Sequence, residues 1–194
     1  MTSLETALRQ IDTDLTEGGV AFALVGGLAV SVRTEPRFTR DADVAVAVAD
    51  DPGAEALIHT LRRRGYAIAA IVEQEAVGRL ATVRLTRSSE PEPPVVDLLF
   101  ASSGIEQEIV ADAEPIEVIR NLTIPVARTG HLIALKILSR DDVRRPQDLV
   151  DLRALLRVAS PPELSLTRQS LSLISERGYH RGRDLIAEMD RLAG

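Results

Sequence analysis

Apolar and polar positions follow two different rhythms along this chain, and the rhythm changes near residue 100. Leu4, Ala7, Leu8, Ile11 and Leu15 recur at helical spacing and predict an amphipathic helix over residues 2–16. Thr2-Ser3-Leu4-Glu5 fits a capping box at its start, and Gly18-Gly19 ends it. Residues 20–25 form a continuous apolar run that reads as a short strand, and its glycine end leads into a helix start at residues 28–32. Residues 43–48 read as the next strand. Asp51-Pro52 marks a helix start with Asp51 as N-cap, Leu57, Ile58 and Leu61 form its apolar stripe, and Gly65 closes it. Residues 66–72 are apolar and partly β-branched, which favours strand.

In residues 81–86, Ala81, Val83 and Leu85 alternate with Thr82, Arg84 and Thr86, the pattern of a half-exposed strand. A turn-rich SSEPEPP linker separates it from a final strand at residues 95–100. Helical spacing then takes over at residues 132–138, 149–156, 171–174 and 185–192, with starts at Thr129, Pro146 and Ser160-Pro161. The prediction is an α+β fold: a small mixed sheet flanked by helices in a core over residues 1–100, then a helical half over residues 101–194. One helix followed by a meander favours a mixed sheet over a doubly wound parallel one.

Composition narrows the possible partners. Apolar residues make up 45% of the 194, enough for a real core, but aromatics are 3% with no Trp, so single-stranded bases find few stacking platforms. A net charge of −6 argues against general DNA coating, which needs a broad basic face. With no Cys there is no disulfide, thiolate metal site or Cys nucleophile. The longest uncharged run is 13 residues, short of the roughly 20 that a spanning helix needs. The N-terminus lacks a basic start and an apolar stretch, so no signal peptide is read and a cytoplasmic location is expected.

Carboxylates carry the chemistry. Residues two apart in a strand share a face, so Asp41 and Asp43 point the same way while Ala42, Val44 and Val46 face the core. Asp97, embedded in VVDLLF, joins them if the two strands are neighbours. Three such carboxylates repel, and a hard divalent cation relieves the repulsion. Two such ions about 3.5–4 Å apart can clamp the attacking and leaving oxygens of a displacement at phosphorus. The plainer reading of Asp97 is a buried salt bridge, for instance with Arg84.

Gly26-Gly27, between a strand and a helix, lets backbone amides approach a phosphate. Arg37, Thr39 and Arg40 precede the acidic pair and can bind phosphate oxygens or balance the aspartates. Lys136 sits inside the apolar pattern ALKIL and calls for an anionic partner, or snorkels. Asp148 and Asp151 fall in the first turn of the following helix, where capping alone can explain them. His59, His131 and His180 show no metal-ligand spacing, and no nucleophile elbow supports a Ser-His-Asp hydrolase.

Gly26-Gly27, Asp41-Ala42-Asp43 thirteen residues later, and Asp97 on a later strand resemble the polymerase-β-type nucleotidyltransferase superfamily. More narrowly, Arg37, Thr39, Asp41 and Asp43 match the R-x-T-x-D-x-D of the AbiEii/AbiGii-type toxins of type IV toxin–antitoxin systems. Lys136, Arg145, Asp148 and Asp151 are similar to that branch's helical signature. The resemblance spans residues 20–157. It implies Mg²⁺-dependent transfer of a nucleoside monophosphate from an NTP to an acceptor hydroxyl, with release of pyrophosphate. Asp41, Asp43 and Asp97 would hold Mg²⁺, with two ions expected and Asp97 the base. Gly26, Gly27, Arg37, Thr39 and Lys136 would contact the nucleotide phosphates, and Asp148 would be a supporting catalytic carboxylate. Gly27 stands where many members have Ser, which removes a hydroxyl contact but keeps the backbone donors.

The acceptor stays open among tRNA, a protein hydroxyl and a small antibiotic-type molecule, and a cognate antitoxin is an implied partner. Arg140, Arg144 and Arg145 could guide a tRNA end or form a solvated loop. The alternative to an enzyme is an inactive nucleotide-binding or antitoxin-like module on the same fold.

Overall fold

The computed structural model describes residues 3–37, 39–74, 77–87, 93–141 and 146–193. Its elements are helix α1 (Ser3–Glu17), strand β1 (Phe22–Val25), helix α2 (Gly26–Arg33), strand β2 (Asp41–Val46), helix α3 (Asp51–Arg63), and strands β3 (Ala67–Gln74), β4 (Arg79–Thr86) and β5 (Val95–Leu99). Helix α4 (Glu106–Ala111), strands β6 (Glu114–Ile119) and β7 (Leu122–Val126), and helices α5 (Thr129–Ser139), α6 (Pro146–Val158), α7 (Pro161–Glu176) and α8 (Leu185–Ala193) follow.

The strands form one mixed sheet in the order β3-β4-β5-β2-β1-β7-β6. β2 runs parallel to β5 and β1 parallel to β7, while the other neighbours are antiparallel. The α+β architecture and the mixed sheet agree with the apolar pattern. β4 buries Ala81, Val83 and Leu85 and turns Arg84 outward, as its alternation requires. α5, α6 and α7 begin at the predicted Thr129, Pro146 and Pro161, with Ser160 as N-cap of α7.

Two readings need correction. The strand at residues 95–100 is not the last, because β6 and β7 come from beyond it and complete the sheet. The N-cap of α3 is Asp50, whose carboxylate accepts from the Gly53 amide at 2.9 Å. Asp51 instead pairs with Arg79 at 2.7 Å and accepts from the Leu80 amide, tying α3 to β4. Thr2 of the predicted capping box, most of the SSEPEPP linker, and Arg144 and Arg145 lie outside the described residues.

One contiguous apolar cluster underlies the sheet, with α1 packed on β2 and β5 and α4 on β1 and β2. Ala42, Val44 and Val46 enter this core from β2. α2 packs against β1 and β2 and also against α5 and α6, so the glycine turn and the C-terminal helices meet.

Candidate active site

β1 ends at Val25 and the chain turns at Gly26, whose φ of +64° lies in the left-handed region. A Cβ there would come within 1.9 Å of Asp43 Oδ2. Both facts demand glycine: the backbone conformation strains an L side chain, and the space above it belongs to a carboxylate. At Gly27 a Cβ would lie 2.6 Å from Arg37 Nη2, so the missing side chain makes room for a guanidinium. The Gly27 amide also hydrogen-bonds to the Asp43 carboxylate.

Asp43 pairs in register with Asp97 across the parallel β2–β5 ladder, and Asp41 precedes it on the same face. Burial first, then the Asp97 charge, with a smaller push from Asp41, raises the Asp43 pKa to about 6 against the opposing pull of Lys136 and the Gly27 amide. Asp97 is held by its neighbour on β4. Arg84 Nε donates to Oδ1 at 2.9 Å and Arg84 Nη2 to Oδ2 at 2.7 Å, a bidentate fork that raises the guanidinium pKa.

Opposite the sheet, α5 and α6 carry a second charged cluster. Lys136 Nζ reaches Asp148 Oδ1 at 2.7 Å and Asp151 Oδ2 at 2.8 Å, with all three side chains at least nine-tenths buried. Asp151 also accepts from Arg37 Nη2 at 2.8 Å and from Gln147 at 3.0 Å, while Ser139 donates to Asp148. Burial pushes the Asp151 carboxyl up, but the bonds from Lys136, Gln147 and Arg37 outweigh it and hold it below its ordinary value.

Gly26, Gly27, Arg37, Thr39, Asp41, Asp43, Asp97, Lys136 and Asp148 all line one cleft of about 700 Å³. The residues that the family resemblance assigns to phosphate, metal or catalytic contact therefore share one space. Arg40 is exposed and is not among the residues lining the cleft, and Arg140 caps the end of α5. Arg84, which shares the floor, is the salt-bridge partner that the plainer reading of Asp97 expects, whereas Asp151, which clamps Arg37 and Lys136, has no expected role beyond capping. The signal for Asp151 was its spacing of three from Asp148 on a helix after a buried lysine.

Among the described residues, no group of three or more His, Asp or Glu side chains converges closely enough to hold a metal ion. Asp41 and Asp43 offer hard oxygen donors, and Asp43, its carboxyl raised by burial first and then by the Asp97 and Asp41 charges, would be relieved by a divalent cation. The donor set therefore fits Mg²⁺ at this pair. Asp97 can join it through the lone pairs its oxygens keep, in competition with Arg84 for the same charge.

His131 completes a Ser-His-Asp set elsewhere, with Nδ1 3.1 Å from Ser170 Oγ and Nε2 3.2 Å from Asp112. His131 and Ser170 are buried, and burial lowers the histidine pKa, so the set ties α4, α5 and α7 together without presenting a nucleophile.

The fold and this cleft place the molecule among nucleotidyltransferase-fold proteins. The structure matches an antigenic nucleotidyltransferase-like protein from Paracoccidioides brasiliensis with a TM-score of 0.58 at 17% identity, over 97% of this chain and 92% of that one. It matches ANT(2'')-Ia, solved in complex with adenylyl-2''-tobramycin, with a TM-score of 0.57 at 16% identity, over 88% and 98% of the two chains. The lincosamide antibiotic adenylyltransferase LnuA, lincomycin-bound, gives 0.50 at 16% identity, over 80% and 98%. No curated protein matches the sequence. The family model for the nucleotidyl transferase AbiEii toxin of type IV toxin–antitoxin systems matches residues 12–193, and the chain belongs to that family of nucleotidyltransferases. No helix among the described residues is long and apolar enough to cross a membrane.

Proposed function

We propose that this enzyme transfers a nucleoside monophosphate from an NTP to an acceptor hydroxyl, with Mg²⁺ at Asp41 and Asp43 and release of pyrophosphate. The observation that carries the reading is the meeting, in one cleft, of the Gly26-Gly27 turn, the paired Asp43 and Asp97, and the Lys136 cluster. Residues 1–100 supply the floor and the glycine turn, and residues 101–194 supply the Lys136–Asp148 wall. Bound Mg²⁺ supplies charge neutralisation at the triphosphate and at the attacking oxygen.

The chain's own residues do the rest. The Gly26 and Gly27 amides, Thr39, Arg37 and Lys136 bind and orient the phosphates. Asp97 takes the acceptor's proton as its oxygen bonds to the α-phosphorus and the bond to the departing pyrophosphate breaks. Asp148 and Asp151 hold Lys136 in place. The acceptor class, an RNA end, a protein side chain or a small molecule, follows from which hydroxyl reaches the α-phosphorus. A toxin role with a cognate antitoxin, in the NTP- and Mg²⁺-rich cytoplasm, is the setting that family membership suggests.

Pyrophosphate release with Mg²⁺, the four NTPs and an acceptor panel of tRNA, protein and aminoglycoside or lincosamide tests the reading. Turnover above background in the wild type, lost in Asp41→Ala/Asp43→Ala, supports it. Equal background in both overturns it. The Arg84 fork on Asp97 favours a second reading, a nucleotide-binding module without turnover. That reading expects NTP binding by calorimetry and no pyrophosphate with any acceptor.

A further inference from the structure

The two ends of the sheet differ in character. β6, at one end, carries Glu114, Pro115 and Glu117, residues that discourage another strand from pairing. β3, at the other end, reads AIAAIVEQ and is exposed along nearly its whole length, with Ile71 and Val72 each more than half exposed. Its outer edge has neither proline nor lysine, and its one charge, Glu73, lies near the C-terminal end. Such an edge is a template for another strand.

We propose that β3 pairs antiparallel with β3 of a second copy, about a two-fold axis through Ile71. The register follows from the faces. Ile68, Ile71 and Glu73 line a groove against α3, whereas Ala70 and Val72 pair with Arg84 and Thr82 on the cleft side. With the axis at Ile71, each Ile71 meets its counterpart on the α3 face and Ala70 meets Val72 on the other. The irregularity between Ile68 and Ala70 then brings Ile68 opposite Glu73 of the other copy, again on the α3 face.

Charge supports the same arrangement. Arg62 lines the groove and Arg63 ends α3, just before β3 begins. An antiparallel partner delivers its Glu73 to that end, beside the arginines, and keeps the two glutamates apart. A parallel partner would stack them. Residue Ile71 meeting itself is the self-complementary contact that a two-fold interface requires. An edge of this size falls near the low end of interface areas, below about 1,200 Å² in total, so the dimer forms in a concentration-dependent way.

The chain has no Cys, so single-cysteine variants report the register directly. Purified Ile71→Cys, Ile68→Cys and Val158→Cys, the last at the exposed end of α6, are treated with a short thiol–thiol cross-linker and run on denaturing gels. Sedimentation of the wild type and Ile71→Arg accompanies them at about 10–200 µM. The expected result is rapid dimer cross-linking at position 71, slower at 68 and none above background at 158. The wild-type monomer–dimer equilibrium should weaken by about tenfold or more in Ile71→Arg, as for a central interface residue. Equal cross-linking at all three positions overturns the proposal. So does a wild type that stays monomeric, the outcome expected if β3 serves a foreign peptide instead.

Discussion

Arg84 and a divalent cation want the same oxygens. The fork on Asp97 takes one lone pair on each carboxylate oxygen, so a metal that recruits Asp97 competes with the guanidinium for its charge. Arg84→Gln should therefore bind Mn²⁺ several-fold more tightly, read by electron paramagnetic resonance, the scale of one charge-assisted pair. Weaker binding would mean instead that Arg84 orients Asp97 as a ligand. Asp43 gives a pH signature. Its folded pKa of about 6 exceeds the ordinary 3.8, so the metal-free fold holds a proton that the unfolded chain has released. Stability of the metal-free protein then falls as pH rises from about 4 through 6 and stays lower above it. Asp43→Asn should raise its thermal midpoint at pH 7.5, by the equivalent of about 1–3 kcal/mol, while abolishing turnover; the gain should shrink toward pH 4. The glycines separate in the same way. Gly26→Ala meets both positive φ and the Asp43 carboxylate and should lose nearly all activity, whereas Gly27→Ala has no positive φ, meets the ends of the Arg37 and Thr39 side chains, and should retain a measurable fraction.

At the scale of elements, the clamp between α5 and α6 is the part most sensitive to a single change. Asp151 bridges Lys136 and Arg37 while almost wholly buried. Asp151→Ala removes one ion-pair partner from each of two cations and should cost about 2–4 kcal/mol in denaturant unfolding, with a raised KM for NTP. Asp151→Asn keeps the shape and should recover part of the stability but less of the KM. The elements that position the site were legible because each has a local signal: glycine after an apolar run, alternation around Asp43 and Asp97, proline or serine at helix starts. β6 and β7 were not. Ile116 and Val118, then Leu122, Ile124 and Val126, do alternate, with Asn121 at φ 60° in the turn between them. Pro115 and Pro125 mask the pattern, since proline inside a strand argues against one, yet the two lie opposite each other, Pro115 on the edge strand β6 and Pro125 on its neighbour β7. Which strands become neighbours, and so whether Asp97 joins Asp43 or pairs with Arg84, is a property of tertiary assembly that no local spacing carries.

Over the whole molecule, the charge of −6 bears on the acceptor. If the acceptor is tRNA, few phosphates can be neutralised, and filter binding should show a shallow dependence on salt, with a slope corresponding to only a few contacts. A steep slope would point to a basic surface beyond the described cleft. A small acceptor predicts turnover insensitive to moderate salt.

The sheet also sets an order in time. β1 lies between β2 and β7, and the glycine turn at its end faces Lys136 and reaches Asp151 through Arg37. A ribosome finishes the aspartate pair early, but the Lys136–Asp148–Asp151 wall arrives only after residue 151 has emerged. At roughly 5–20 residues per second, the nascent chain spends several seconds carrying half a site. On the proposed function, fragments ending before α6 would thus be chemically inert: the cleft closes into a working site only when the last helices have joined the sheet.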